Sequence, residues 1–554
     1  MACSLPAISR GSPLKSSSLV FKTSESAAFL QIAQHLENKR NSALPGGSFK
    51  MRKFRNYFLI GLLAFVLRAL FLGRKSLWMD EGFSVWMASH TLPELFKLIP
   101  HDAHPFIFYT FLHFWMKGGD SEAYLRFPSV ICGVISCLVI YALGKELLGE
   151  KQGILTAVFW ACAMIALNSE TDVRMYAYAT CFALLSTFWF WRAYQYGGKK
   201  NWALYYVFAS LSLYTHYYTG FIIMAQWIFL LVEKRWREAV WVPLILTLIF
   251  SPWTPVFFFQ FFHAIDTRMP KAGWFETFLY FGMFLNARRY FTANHLFITL
   301  ASIFSIGALL WGFFKMFKKN RKEAIFLMLL FGIPFSVPFA ISHFSPRHIF
   351  VFRYTVLFAP YFFLLFLYGL FNIPRTAAFP VYGALIFMNV SIWILSLTGP
   401  AYQTQNWREA ARKIENHLRK TQVILVEQQM SIYPLWYYLS QRFPIVWNGN
   451  AGYDLMITKK RFIPVVPLFG TSLPGVKQWI NHDEKEKSEI WLVLCQPFLV
   501  DKHLAVPKWL LSHQKILHIY ELRSISKINR IVLYLLAPPL LPVERSRIKE
   551  QGGH

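Results

Sequence analysis

Eleven apolar runs, at about 56–73, 127–148, 153–169, 175–194, 202–215, 217–232, 239–262, 293–314, 324–341, 354–372 and 377–398, occupy most of the chain between residues 56 and 398. A helix crossing hydrocarbon needs roughly 17–25 apolar residues. Inside a bilayer the backbone must satisfy its own hydrogen bonds, so runs of this length are helical or do not span at all. The 554 residues are 55% hydrophobic and only 16% charged, whereas soluble domains carry about 25% charge. The expected fold is therefore a polytopic all-α membrane domain of about eleven helices over residues 51–399. A smaller α/β domain follows over 400–554.

The formal charge of +28 does not point to nucleic acid, because the basic residues sit in short turns between apolar runs. Placing the N-terminus inside collects Arg52, Lys53 and Arg55, then Lys199 and Lys200, Lys234 to Arg237, and Lys315 to Lys322 on one side. This is the positive-inside pattern. The run from Pro105 to Trp115 is too short to span and is read as an interfacial or re-entrant helix. Counting it as a span would invert every later loop and reverse the charge asymmetry. Residues 1–50 are Ser-rich and contain no acid before Glu25. They read as an extension upstream of a start at Met51, or as a targeting segment. None of the six cysteines has zinc-ligand spacing.

After Gly399 the pattern changes. Trp407, Ala411, Ile414 and Leu418 recur at helical spacing with charges between them. QVILVE, EIWLVLC, KILHIYEL and NRIVLYLLA read as strands, and IYPLWYYLSQ as a helix. An odd number of spans puts this domain outside, on the side of the first loop.

That loop contains LWMDEGFSVWMASH, with Asp80 and Glu81 just beyond the first span. Asp102 shares the loop, and Glu170 and Asp172 lie in the second, very short one. His101, His104, Arg174, His216, Arg347, His348 and Arg353 fall at the same level. Ionisable groups at membrane interfaces are expensive and mark functional candidates. Each also has a plainer explanation. Asp80 and Glu81 could cap a helix, with Asp at the N-cap and Glu in the first turn. Asp172 and Arg174 could form a local pair, and Arg353 could snorkel beside Tyr354.

Taken in order, LWMDEGFSVWMAS, HPFIFYTFLHFWMKGGDSEAYLRFPSVICGVI, NSETDVRMYAYA and FRYTVLFAPYFFLLFLYGL resemble the family 39 type of GT-C glycosyltransferases. These are relatives of the protein O-mannosyltransferases and of bacterial lipid A aminoarabinose transferases. NWREAARKI resembles the start of the outer domain found in many bacterial members, and the likeness covers about residues 51–450. Phe106 stands where the family has a second proline. The resemblance implies an enzyme that moves one sugar from a polyprenyl-phosphate carrier to a lipid, glycan or protein acceptor at the outer face of a bacterial inner membrane, with inversion. It implies Asp80 as general base with Glu81 supporting or sharing that role, and Asp172 facing them across one cavity. His104, Arg174 and Arg353 would hold the donor phosphate, arginine being suited to bidentate phosphate contacts. A nucleotide sugar is not expected, consistent with the lack of a Rossmann-type glycine fingerprint.

Two other functions compete. A flippase for lipid-linked saccharides would place acids at mid-membrane, and a polymer ligase would use a diphosphate-linked donor. Metal dependence is open, since Asp80, His104 and Asp172 could contribute ligands to a divalent ion although no H-x-x-x-H or D-x-D run sits in the outer loops. The sugar and the acceptor are not written in the sequence.

Overall fold

The computed structural model describes residues 46–263, 273–285, 295–345, 348–398, 405–417, 422–426, 429–440, 445–447, 463–467, 489–495, 505–522 and 530–537. Most of the 1–50 extension and Arg347 therefore lie outside the described residues. By backbone contacts the chain divides into Met1–Leu59 and Ile60–His554.

Helix α1 (Gly46–Ala69) holds the first apolar run. Helix α2 (Met79–Ser89) carries the two acids, α3 (Leu92–Leu98) follows it, and α4 (Ile107–Trp115) is the short apolar helix. Then come α5 (Glu122–Leu148), α6 (Glu150–Cys162), α7 (Met164–Ser169), α8 (Tyr176–Tyr196), α9 (Lys199–Leu213) and α10 (Thr219–Val232). Helices α11 (Trp236–Phe250), α12 (Thr254–His263), α13 (Trp274–Phe284), α14 (His295–Lys319), α15 (Arg321–Phe344), α16 (Ala359–Leu370) and α17 (Arg375–Thr398) complete the helical part. Within the described residues each apolar run of the sequence is thus mainly helical. Glu122–Leu148, Trp236–His263, Leu296–Lys319, Arg321–Phe344 and Arg375–Thr398 are long and apolar enough to cross a membrane. The other runs form shorter or interrupted helices; α6 and α7, for instance, are separated at Ala163.

Exposed side chains such as Leu248, Leu300 and Phe387 lie on the long helices, as expected where lipid is the solvent. Helix contact within such a bundle depends on close packing, because lipid supplies no hydrophobic drive between helices. Helices α14 and α16 meet at Gly312 and Gly369, where a Cβ on either would run into the backbone of the other helix.

The C-terminal part opens with α18 (Trp407–His417), followed by β1 (Gln422–Val426), α19 (Ile432–Ser440), β2 (Ile445–Trp447) and β3 (Ile463–Pro467). Strand β4 (Glu489–Cys495), α20 (Ala505–His513), β5 (Ile516–Leu522) and β6 (Ile531–Leu536) complete it. The six strands form one sheet in the order β2-β3-β1-β4-β6-β5. The first four are parallel, with Ile424 beside both Val465 and Trp491; β6 pairs antiparallel with both β4 and β5. Ile424, Val426, Trp491 and Val493 face Trp407, Ile414, Ile432 and Leu435 in one core. The four expected strands and two expected helices are present. Two further strands and a helix (β2, β3 and α20) join them.

Candidate active site

Helix α2 begins at Met79, preceded by an extended Trp78. Asp80 therefore sits inside the first turn rather than at the N-cap. The capping group is Glu81, whose Oε2 reaches back to accept from the Trp78 N–H at 3.2 Å. That is one of four contacts on a fully buried carboxylate. Arg126 Nε donates to Oε1 at 2.8 Å and Arg126 Nη2 to Oε2 at 2.6 Å, while the Val173 N–H reaches Oε1 at 2.9 Å. Arg126 lies near the start of α5 and also donates to the carbonyls of Leu72, Lys75 and Ser76, at 2.9, 2.8 and 3.2 Å. Glu81 thus ties the segment that leads into α2, α5 and the segment between α7 and α8 together. Its partner Arg126 was not singled out from the sequence, although a charge four residues inside a helix that soon becomes apolar is the signal that could have found it.

Asp80 is placed differently. Its Oδ2 accepts from Arg353 Nη1 at 2.5 Å, and the two side chains are 18% and 41% exposed. Arg353 also lies over the Trp78 ring, 5.9 Å from its centroid. Arg353 is therefore an ion-pair partner and not simply a snorkelling anchor.

Arg174 is buried, and its Nη1 donates to the Asp80 carbonyl at 3.2 Å and to Ser84 Oγ at 3.0 Å. Its Nε has no hydrogen-bond partner among the described residues. Arg174 thus braces α2. Asp172, half-buried, lies in the same segment, and its carbonyl accepts from Ser129 Oγ at 2.8 Å. Glu170 turns away from this group. It is buried and pairs with Arg68 of α1, accepting from Arg68 Nε at 2.6 Å and from Trp160 Nε1 at 3.2 Å.

His104 is buried beside Asp102. The Asp102 carboxylate accepts from Tyr109 OH at 2.7 Å and faces His104 Nδ1 at 3.3 Å. Burial opposes ionisation of Asp102, but the His104 charge and hydrogen bond, with Arg174 and Tyr109, prevail and hold the carboxyl down at about 2. The His104 ring lies 5.1 Å from that of His216, which in turn lies 4.8 Å from Tyr354. Burial, then His104 and Arg174, keep His216 well below its ordinary value, and its Nε2 has no hydrogen-bond partner among the described residues. These three side chains, with Phe257, Gln260 and His348, line a cavity of about 290 Å³. His101 stands apart, against Phe259.

Asp80, Arg353, Arg174, Asp102 and His104 are thus joined through direct contacts or shared neighbours. Such an assembly offers an accessible carboxylate that can accept a proton, beside cationic donors able to bind an anion. Among the described residues, no group of three or more His, Cys, Asp or Glu side chains is gathered to hold a metal ion.

Residues 103–259 match the family model described as dolichyl-phosphate-mannose-protein mannosyltransferase. ArnT from Cupriavidus metallidurans in the apo state is similar in structure, with a TM-score of 0.56 at 13% identity, covering 86% of this chain and 97% of that one. The same protein bound to undecaprenyl phosphate gives a TM-score of 0.53 at the same identity and coverage. A comparison with curated proteins finds no match. The chain thus shares the GT-C fold with ArnT, and over residues 103–259 it is similar to the dolichyl-phosphate-mannose-protein mannosyltransferases.

Proposed function

We propose that this membrane protein transfers a single sugar from a polyprenyl-phosphate carrier to a lipid, glycan or protein acceptor at the outer face of a bacterial inner membrane. The carrying observation is the Asp80–Arg353 pair, an accessible carboxylate held 2.5 Å from an accessible guanidinium. An acceptor hydroxyl attacks the anomeric carbon while Asp80 takes its proton. The bond from that carbon to the phosphate oxygen breaks, and the carrier phosphate leaves with the electron pair. Attack opposite the leaving group inverts the anomer.

Arg353, Arg174 and His104 stabilise the phosphate as its charge grows. The arriving phosphate draws Arg353 from Asp80 and frees the carboxylate to act as a base. Glu81, with its oxygens engaged by Arg126 and two backbone N–H groups, takes the supporting role. Asp172 faces the acceptor side. The cavity beside His104 and Tyr354 has room for the part of the carrier nearest its phosphate, in keeping with the undecaprenyl phosphate bound to ArnT. In this reading the helical part crosses the membrane eleven times over 51–399. The 400–554 domain and the acidic segments face outward, and residues 1–50 are an extension.

Membranes with wild-type or Asp80→Asn protein, supplied with sugars on polyprenyl monophosphate or diphosphate, test the proposal. Monophosphate-dependent transfer that Asp80→Asn abolishes is expected. Movement of the lipid-linked sugar without transfer would make the protein a flippase, and a diphosphate requirement would make it a ligase. Single cysteines at Ser89 and Ser169 should react with an impermeant maleimide from outside, and one at Asn320 should not. The reverse pattern would overturn the orientation.

A further inference from the structure

The backbone around Asp80 is held by residues from the far end of the chain. Gln405 is 1% exposed, and its Oε1 accepts from the Met79 N–H at 3.0 Å and from Trp407 Nε1 at 2.8 Å. Ser76 Oγ donates to the Gln405 carbonyl at 2.5 Å and accepts from the Trp407 N–H at 3.2 Å. The Leu77 N–H donates to Tyr438 OH at 2.7 Å, and that hydroxyl donates in turn to Glu122 at 2.5 Å.

The side chains that flank Asp80 are held from the same direction. Met79 belongs to the core of the C-terminal region, with Trp407, Ile414, Ile432 and Leu435. Gly82 lies so close to α19 that a Cβ there would stand 2.5 Å from Pro434 N and 2.8 Å from its Cα. Tyr433 continues the contact, with its ring 5.1 Å from Phe83 and 4.9 Å from Trp86.

We infer that Gln405 and α19 are positioning elements for Asp80, so that the C-terminal region is a working part of the active site. This rests on the reading of Asp80 as the base. A base must meet its proton within hydrogen-bond reach, and a displacement of about 1 Å can cost on the order of 100-fold in rate. Gly82 is the point where α2 and α19 approach too closely for any side chain. Met79 N–H is an orphan donor of the first helical turn, and Gln405 is its acceptor.

The test compares Gln405→Leu, Gln405→Glu and Gly82→Ala in the full chain, measuring donor turnover and KM for a polyprenyl-phosphate sugar. A carboxylate can accept both bonds that Gln405 Oε1 accepts, and among the described residues Gln405 Nε2 has no partner to lose. Gln405→Leu and Gly82→Ala should lower kcat roughly 10–100-fold, with KM for the carrier sugar unchanged and normal protein in the membrane. Gln405→Glu should restore most of kcat. If Gln405→Leu fails to accumulate, Gly82→Ala carries the test. Wild-type kcat in Gly82→Ala, equal losses in kcat and carrier affinity, or a Glu variant no better than Leu would overturn the inference. Asp80→Asn is assayed in parallel. If it stays active, the assignment of the base has failed; if it is dead while Gly82→Ala is normal, only the positioning inference has.

Discussion

At Asp80–Glu81 the glutamate is fully buried against Arg126, and the aspartate meets Arg353 where solvent reaches both. At Glu170–Asp172 the glutamate is again fully buried, against Arg68, and the aspartate is half-buried. In each segment one acid–arginine pair is sealed inside and serves the architecture, while the aspartate is only partly buried. The two sealed pairs still differ. Arg68 adds carbonyl contacts within the helical core, to Ala64 and Ala161. Arg126 gathers three carbonyls of the segment that leads into α2. An ion pair of the first kind can be exchanged for apolar packing, but one of the second kind also ties a loop in place.

The sharpest division between sealed and open acids comes from isosteric amides. Asp80→Asn should lower transfer about 10²–10⁴-fold with normal protein levels, read as sugar transfer in membranes. More than half of wild-type activity would leave Asp80 with no catalytic role. Glu81→Gln and Glu170→Gln should act on the fold, since each leaves a buried arginine uncompensated at a cost of about 3–5 kcal/mol. Thermal unfolding in detergent measures this. Arg68→Met with Glu170→Met should regain more stability than Arg126→Met with Glu81→Met, because the second exchange takes partners from three loop carbonyls and from the Trp78 and Val173 N–H groups. Equal behaviour of the two double variants would break the distinction.

Arg353→Lys tests the open pair from its other side. Lysine would replace an interfacial anchor well but loses the planar fork that grips phosphate. Donor affinity or turnover should fall by about 1–3 kcal/mol, the value of a charge-assisted hydrogen bond. Unchanged kinetics would return Arg353 to the anchor class.

The smallest effect concerns Asp102. Its folded carboxyl, held down at about 2, lies below its ordinary value, so the stability it contributes is complete above about pH 4 and is lost as pH falls through 2. The stability gap between wild type and Asp102→Asn should therefore close between those values, followed by tryptophan fluorescence. A gap as wide at pH 2 as at pH 7 would show that Asp102 acts through shape and not through charge.

Local patterns carried much of this structure. The apolar runs announced the helices, and alternating or continuous apolar stretches announced β1, β4, β5 and β6. Strand β3 escaped because IPVVP holds two prolines, which argue against a strand in most settings. Strand β2 has only three residues. At the site, the residue types and their order were legible, but the division of labour was not. Nothing in the adjacency of Asp80 and Glu81 says which is sealed. That follows from Arg126, 45 residues away, and from a backbone N–H at Val173. The part taken by Gln405 was equally hidden, since a glutamine before a tryptophan has no local signature.

The hydrogen bond from Met79 to Gln405 spans 326 positions of the chain. A ribosome adding about 5–20 residues per second makes the first partner roughly 16–65 s before the second. For that interval α2 has no Gln405 to receive its first N–H and no Pro434 to close against Gly82. The acids are therefore made early and reach their final geometry only after about three quarters of the chain has been synthesised, so a polypeptide released before Gln405 would carry every acid of the site in an unfinished arrangement.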